Sequence, residues 1–187
     1  SEFYCAEEGH TKIDELKNYG IAHEVRDNKI IYDNKDSKIL NMVNSTDRFI
    51  QGVGVRLAAG EYGATTGRPR RTGWTDAAAA KYAASINGPL FILTKPDSLS
   101  GAKSFRISYG YGLNGKLSNT FSKSEDFLRG AVPICTNYEG YGCINNIRKY
   151  DLLPSSLKRA IADFESFTYG KVVAVSVGAD REETIVR

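Results

Sequence analysis

The 187-residue sequence predicts an α/β protein built on a mixed, largely parallel sheet flanked by helices. Three observations carry this expectation. Pro89-Leu90-Phe91-Ile92-Leu93 is a continuous apolar run bounded by turn residues, as a strand buried on both faces requires. Lys171 to Val177 is a second such run. Helical patterns accompany both: the alanine-rich Ala77 to Ala84, and the stretch after Pro154 in which Leu157, Ile161, Phe164 and Phe167 fall on one face.

In chain order, Ser1-Glu2-Phe3 reads as a cloning remnant. Lys12 to Tyr19 forms a short amphipathic helix through Ile13 and Leu16, stopped by Gly20. Ile21 to Val25 and Lys29 to Tyr32 read as strands around the turn-forming Asp27-Asn28. Asn34 to Asp36 is a polar break, and Ile39 to Val43 is too short for periodicity to decide its state. From Asp47, the residues Phe49, Val53, Val55 and Leu57 predict a helix despite Gly52 and Gly54, ending near Gly60. Thr75 is the expected N-cap of the alanine-rich helix, with Asp76 in its first turn, Tyr82 and Ile86 on its buried face and Asn87-Gly88 as its stop. Thr94-Lys95-Pro96-Asp97 then leaves the carboxyl end of a strand, where open α/β sheets bind ligands. Ser104 to Tyr111 and Lys116 to Phe121 predict a hairpin about Asn114-Gly115. Gly130 to Asn146, rich in glycine, tyrosine and asparagine, reads as a long functional or covering loop. The helix after Pro154 closes at Gly170, and the last strand delivers Ser176-Val177-Gly178 to the same edge as Asp97.

Composition narrows the function classes. A hydrophobic content of 41% and a charged content of 25% are ordinary for a globular domain. The net charge of +3 gives no field that argues for nucleic acid. Cys5, Cys135 and Cys143 are odd in number and widely spaced, which speaks against a disulfide scaffold and fits a reducing, cytoplasmic compartment. With only His10 and His23 to join them, no metal-ligand spacing recurs. Neither a membrane-spanning run nor a signal-peptide pattern is visible.

The chemically richest run is Gly63-Ala64-Thr65-Thr66-Gly67-Arg68-Pro69-Arg70-Arg71-Thr72-Gly73-Trp74. Its glycines allow sharp turns and close approach to a ligand, its hydroxyls and exposed amides cradle an anion, and arginine forks pair with carboxylate or phosphate. A basic surface loop, or a patch drawn to nucleic acid or heparin, is the plainer reading of Arg68-Pro69-Arg70-Arg71; the flanking Thr-Thr-Gly and Thr-Gly-Trp weigh against it. Arg71 reads as surface charge and Trp74 as a core anchor. Thr94-Lys95-Pro96-Asp97 fits a surface turn as well as a base pocket. For the pocket, an aspartate accepts from the ring N–H and the exocyclic amine of guanine while a lysine stem lies along the base. Adenine offers no such donor pair.

The run from Gly63 to Trp74 resembles the aspartate-binding loop of the adenylosuccinate synthetase family, GTP-dependent ligases that join aspartate to IMP. Leu93-Thr94-Lys95-Pro96-Asp97 and Ser176-Val177-Gly178-Ala179-Asp180-Arg181 follow in the family's order. The resemblance covers residues 47–187 and leaves 1–46 as a segment without a match. It implies the C-terminal part of that fold. It further implies that Ala64, Thr65, Thr66, Gly67, Arg68 and Arg70 take up aspartate and IMP, with Arg70 also reaching the nucleotide. Lys95, Pro96, Asp97, Ser176, Val177 and Gly178 would hold the guanine of GTP. Pro96 stands where the family usually carries an aliphatic residue, and it removes one backbone N–H.

The family's glycine-rich phosphate loop, which holds magnesium and supplies the aspartate that deprotonates IMP, has no counterpart in the sequence, so the chain alone is not expected to transfer a phosphoryl group. Gly9-His10-Thr11 echoes three letters around the family's catalytic histidine, but a surface histidine fits its surroundings better. No catalytic residue and no metal ligand is therefore assigned. GTP as co-substrate, Mg2+ and a homodimer are implied for the complete enzyme. Two rivals stand beside this reading: a non-catalytic guanine-nucleotide or anion-binding module, such as a shortened paralogue, and an active relative that uses another purine nucleotide and a partner chain.

Overall fold

The computed structural model describes residues 11–27 and 29–187. Ser1-Glu2-Phe3, Cys5, His10 and Asn28 lie outside the described residues. The chain is a mixed α/β protein whose sheets are flanked by helices, and it divides into two compact units at Gly73/Trp74. Among the described residues, no helix is long and apolar enough to cross a membrane.

The first unit runs to Gly73. Helix α1 (Lys12–Asn18) begins at a reciprocal cap, in which the Thr11 hydroxyl accepts from the Asp14 amide and the Asp14 carboxylate accepts from the Thr11 amide. Strands β1 (His23–Arg26) and β2 (Lys29–Tyr32) pair antiparallel. The undecided apolar stretch is helix α2 (Ser37–Val43), capped by Asp36. Helix α3 (Arg48–Ala59) is capped by Asp47, which accepts from the amides of Phe49 and Ile50, and ends at Gly60 with φ of 64°. Gly54 is tolerated inside α3 because a Cβ there would lie 2.6 Å from the Val43 backbone nitrogen, so α2 and α3 approach more closely than any side chain permits.

Leu16, Ile39, Val53 and Leu57 form the buried interior together with one ion pair. Arg56, fully buried, donates through Nε to Glu15 Oε2 at 3.1 Å and through Nη2 to Glu15 Oε1. The Tyr62 hydroxyl donates to the same carboxylate at 2.6 Å.

The second unit, Trp74–Arg187, holds two sheets. Strand β3 (Thr75–Asp76) pairs parallel with β5 (Ser104–Leu113), which also pairs antiparallel with β6 (Lys116–Ser118) and β7 (Val132–Glu139). Strand β4 (Leu90–Thr94) pairs parallel with β8 (Lys171–Ser176), which pairs antiparallel with β9 (Thr184–Val186). The helices are α4 (Ala77–Asn87), the short α5 (Glu125–Gly130) and α6 (Ser155–Thr168).

Several expectations need correction here. Among the described residues, parallel pairing is found at β3–β5 and β4–β8, and the Asn114-Gly115 turn and the return of β7 along β5 add antiparallel ladders. The stretch 130–146 is not all loop: β7 occupies 132–139, and Pro133 is acceptable there because, among the described residues, β7 pairs with β5 alone. Asp76, not Thr75, caps α4, its carboxylate accepting from the Ala79 amide at 2.9 Å. Ile86 is exposed, and so are Leu90 and Ile92, so β4 covers one face only. Phe91, on its covered face, packs edge-on against Phe164 of α6 at 5.1 Å between ring centres.

Removing one partner of the buried pair leaves an uncompensated charge. Glu15→Ala is expected to lower unfolding free energy by about 3–5 kcal/mol. Glu125→Ala, which breaks only the exposed pair with Arg129, should change it by less than about 1 kcal/mol. Urea denaturation of the two variants checks the contrast; equal losses would refute it.

Candidate functional site

Two clusters of sequence-predicted residues are assembled, one in each unit. In the first unit, Gly60 turns the chain out of α3, and an antiparallel bridge between Tyr62 and Pro69 closes the basic loop at its base. The Gly63 amide donates to the Arg68 carbonyl at 2.8 Å, and the Arg70 amide donates to the Glu61 carbonyl at 3.0 Å. Within the loop, the Gly67 amide donates to the Gly63 carbonyl at 2.9 Å, with Gly67 in the left-handed region at φ of 62°. Ala64, Thr65, Thr66, Arg68 and Arg70 are left exposed on this closed turn.

The loop is stapled to the buried ion pair. Arg56 Nη1 donates to the Arg70 carbonyl at 3.2 Å, and the Thr72 hydroxyl donates to the Gly52 carbonyl at 3.0 Å. Arg70 Nη1 lies 3.1 Å from Glu61 Oε2. The arrangement is a backbone held fixed beneath exposed hydroxyls and guanidinium groups, which suits a carboxylate or phosphate ligand. Arg71 is exposed and Trp74 is buried.

In the second unit, the β4–β8 register sets Thr94 beside Ser176. Lys95 follows with φ of 60°, and Pro96 opens a 3₁₀ turn, Pro96–Leu99. Ser98 closes this turn on the Lys95 carbonyl through its amide at 3.1 Å and its hydroxyl at 2.7 Å. The N–H that Pro96 lacks is therefore one that a first helical turn leaves unpaired in any case. Lys95 is exposed and Asp97 half-buried.

Beside them, the Ser176 hydroxyl donates to the Gly178 carbonyl at 2.9 Å, and the Val177 amide donates to the Glu183 carbonyl at 2.8 Å. A Cβ on Gly178 would lie 2.0 Å from the Glu183 carboxylate, which itself accepts from the Asp180 amide at 3.0 Å. Lys95, Pro96, Asp97, Ser176, Val177 and Gly178 thus share one carboxyl edge. Ala64, Thr65, Thr66, Gly67, Arg68 and Arg70 form the cluster of the first unit.

Three residues that sequence reasoning passed over stand next to this edge. The buried Tyr141 donates to the Pro96 carbonyl at 2.9 Å, Asn145 Nδ2 donates to the Val177 carbonyl at 2.8 Å, and Glu183 holds the Val177 amide. Burial, then the Asp97 carboxylate, raises the Tyr141 phenol, which keeps it a neutral donor. The glycine, tyrosine and asparagine content of 130–146 was the signal available for two of them. A cavity of about 220 Å³, which Pro96 and Tyr141 help to line together with Phe91, Leu93, Phe105, Ile161 and other uncharged residues, is too apolar to match a phosphate-bearing ligand. Among the described residues no group of three or more His, Cys, Asp or Glu side chains converges as a metal ligand set.

The phenols beneath the basic loop respond to alkali. Burial, then the charge of Glu15, pushes Tyr32 up to about 12, and burial with the Glu15 hydrogen bond raises Tyr62 still more. A phenol whose folded pKa exceeds its unfolded value of 10.0 contributes its full stability below pH 10.0 and loses it as pH rises towards about 12. Unfolding free energy is expected to fall across that window, and Tyr32→Phe should make the fall shallower; urea midpoints at the two ends of the window check it.

A sequence profile of the family described as Adenylosuccinate synthetase matches residues 43–185. The adenylosuccinate synthetase of Anaeromyxobacter sp. (strain K) is 40% identical over 137 residues, covering 72% of this chain and 32% of its own length. That of Caldicellulosiruptor bescii is 38% identical over 139 residues, covering 73% and 33%. The solved structure of fully ligated adenylosuccinate synthetase from Plasmodium falciparum superposes with a TM-score of 0.69 at 29% identity, covering 73% of this chain and 34% of that one. The chain spans about a third of the length of the curated relatives it matches.

Proposed function

The chain belongs to the adenylosuccinate synthetase family, and from that premise we propose that it is a C-terminal part of a GTP-dependent ligase of purine nucleotide synthesis, supplying an aspartate loop and a guanine pocket. The observation that carries this reading is the pairing of Thr94 with Ser176, which puts Lys95-Pro96-Asp97 and Ser176-Val177-Gly178 on one carboxyl edge.

Asp97 accepts from the ring N–H and exocyclic amine of guanine, the Lys95 stem lies along the base, and residues 176–178 close over it. At the basic loop, Thr65 and Thr66 hydroxyls and the Arg68 and Arg70 guanidiniums take a dicarboxylate, offsetting its repulsion against nearby phosphate. The resemblance assigns Arg68 also to IMP and Arg70 also to the nucleotide. In the complete enzyme GTP phosphorylates the IMP oxygen, and the aspartate nitrogen then displaces phosphate. Magnesium would serve that transfer, and no residue described here is assigned to it. The family reading carries with it a cytoplasmic homodimer, and residues 47–187 as its region of the chain.

Each cluster is built from residues of its own unit, which also supports the second reading of a non-catalytic guanine-nucleotide or anion-binding module. Calorimetric titration of the chain with GTP, ATP and aspartate tests the proposal. GTP is expected to bind in preference to ATP, and Asp97→Asn should weaken GTP by about tenfold or more while leaving ATP nearly unchanged, the cost of losing a charged hydrogen-bond acceptor. Equal effects on both nucleotides would sink the guanine assignment.

A further inference from the structure

The connection that follows β7 touches both halves of the strand-edge cluster and belongs to neither. Gly140 lets it start there, since a Cβ at that position would fall 1.6 Å from the Ala102 carbonyl oxygen, and its amide donates to the Lys103 carbonyl at 2.9 Å. One residue on, Tyr141 is buried, its carbonyl accepting from the Gly101 amide at 2.8 Å and its hydroxyl donating to the Pro96 carbonyl at 2.9 Å. Asn145 then donates through Nδ2 to the Val177 carbonyl at 2.8 Å. Its Oδ1 accepts from the Cys143 thiol at 3.3 Å, which orients the amide. Finally, Arg148 Nη2 lies 3.6 Å from Glu183 Oε1, and Glu183 is the residue whose carbonyl receives the Val177 amide. The buried Ile144 anchors the middle of the segment.

We infer that residues 140–148 form a bracket in which Tyr141 and Asn145 are positioning residues for base selection: Tyr141 holds the turn bearing Asp97 through the Pro96 carbonyl, and Asn145 holds the Val177 carbonyl. The inference rests on the nucleotide reading proposed above. A single ladder of β4 on β8 fixes the two strands only as far as Thr94 and Ser176. Beyond that point each turn is free to splay unless something spans them, and a carboxylate that must meet two guanine donors tolerates little displacement. Both hydrogen bonds are made to backbone carbonyls, so they constrain the path of the chain.

The test uses the full chain with Asn145→Ala and the milder Tyr141→Phe, which keeps the buried ring and removes only the hydroxyl. Amide hydrogen exchange reads the bracket directly. Asn145→Ala should speed exchange of the Val177 amide by about tenfold, and Tyr141→Phe should do the same at Ser98 and Ser100, whose amides close the 96–99 turn, with β7 and α6 unchanged. Titration with GTP and ATP reads selection, where Asn145→Ala should reduce the preference for GTP by about tenfold through weaker GTP binding alone. Unchanged exchange at these amides, or acceleration spread evenly over β7 and α6, overturns the bracket. Faster exchange with an unaltered GTP-to-ATP preference overturns its part in selection. Equal affinity of the unaltered chain for GTP and ATP overturns the nucleotide reading itself, and exchange then decides the bracket independently.

Discussion

The strand-edge cluster depends on one constraint, the parallel register of β4 on β8. A slip of one residue would turn every side chain of β8 to the other face, and it would also carry Ser176-Val177-Gly178 out of step with Lys95-Pro96-Asp97. Two features prevent it. Val172 and Ala174 are buried on one face of β8 and Val175 on the other, so a slip would mismatch the packing of both faces at once. At the other end, Gly170 allows the chain to enter β8 against β4: a Cβ there would lie 2.7 Å from the Pro89 carbonyl oxygen and 2.4 Å from the Phe91 ring, and the Lys171 amide donates to that same carbonyl at 2.7 Å. The C-terminal side of the ladder is tied in turn, since Arg187 donates from its amide to the Val173 carbonyl and from its side chain to Glu165.

The first unit solves the same positioning problem with charge in place of a ladder. A guanidinium with no exposure is expensive to desolvate, and an apolar residue of similar volume would often serve stability as well. Its use here is geometric. The planar fork of Arg56 divides its donors between Glu15 and the Arg70 carbonyl, linking α1, the end of α3 and the returning limb of the basic loop through one rigid group. Glu15 lies before the region matched by the family, so a segment without a recognised counterpart supplies the counter-charge for the loop's support. Lys12, whose ammonium lies 4.5 Å from the centre of the Tyr32 ring and is lowered by burial, adds a second cation beside the same phenols.

What was legible in the sequence follows from the range of the forces involved. Local signals carried well: Asp47 and Gly60 bound α3, Asn114-Gly115 makes its hairpin, and the apolar face of α6 buries Leu157 and Ile161. The ordered motifs located both clusters, because loop residues with unusual chemistry stand out against composition. Long-range facts did not carry. That β4 has one exposed face depends on which strands and helices pack on it, and a run such as Leu90 to Leu93 reads the same either way. Strand β7 was hidden by Pro133 and by its polar residues Cys135, Thr136 and Asn137. Glu15–Arg56 and Asn145–Val177 join residues 41 and 32 positions apart, and no periodicity or spacing records such pairs.

Lys95 shows how a local rule is overridden at this edge. A lysine in the left-handed region is disfavoured by about 1–2 kcal/mol, and the residue before a proline is steered towards extended backbone. Lys95 nevertheless has φ of 60° and ψ of 29° immediately before Pro96. The conformation persists because its surroundings over-determine it: its carbonyl accepts from both the amide and the hydroxyl of Ser98, and the next carbonyl accepts from Tyr141. The strain is accounted for if the turn must reverse sharply at the strand end so that Asp97, two residues later, stands beside the 176–178 turn. The disagreement between local preference and observed backbone at Lys95 is therefore set by longer-range contacts, and Tyr141 and Ser98 are what hold it there.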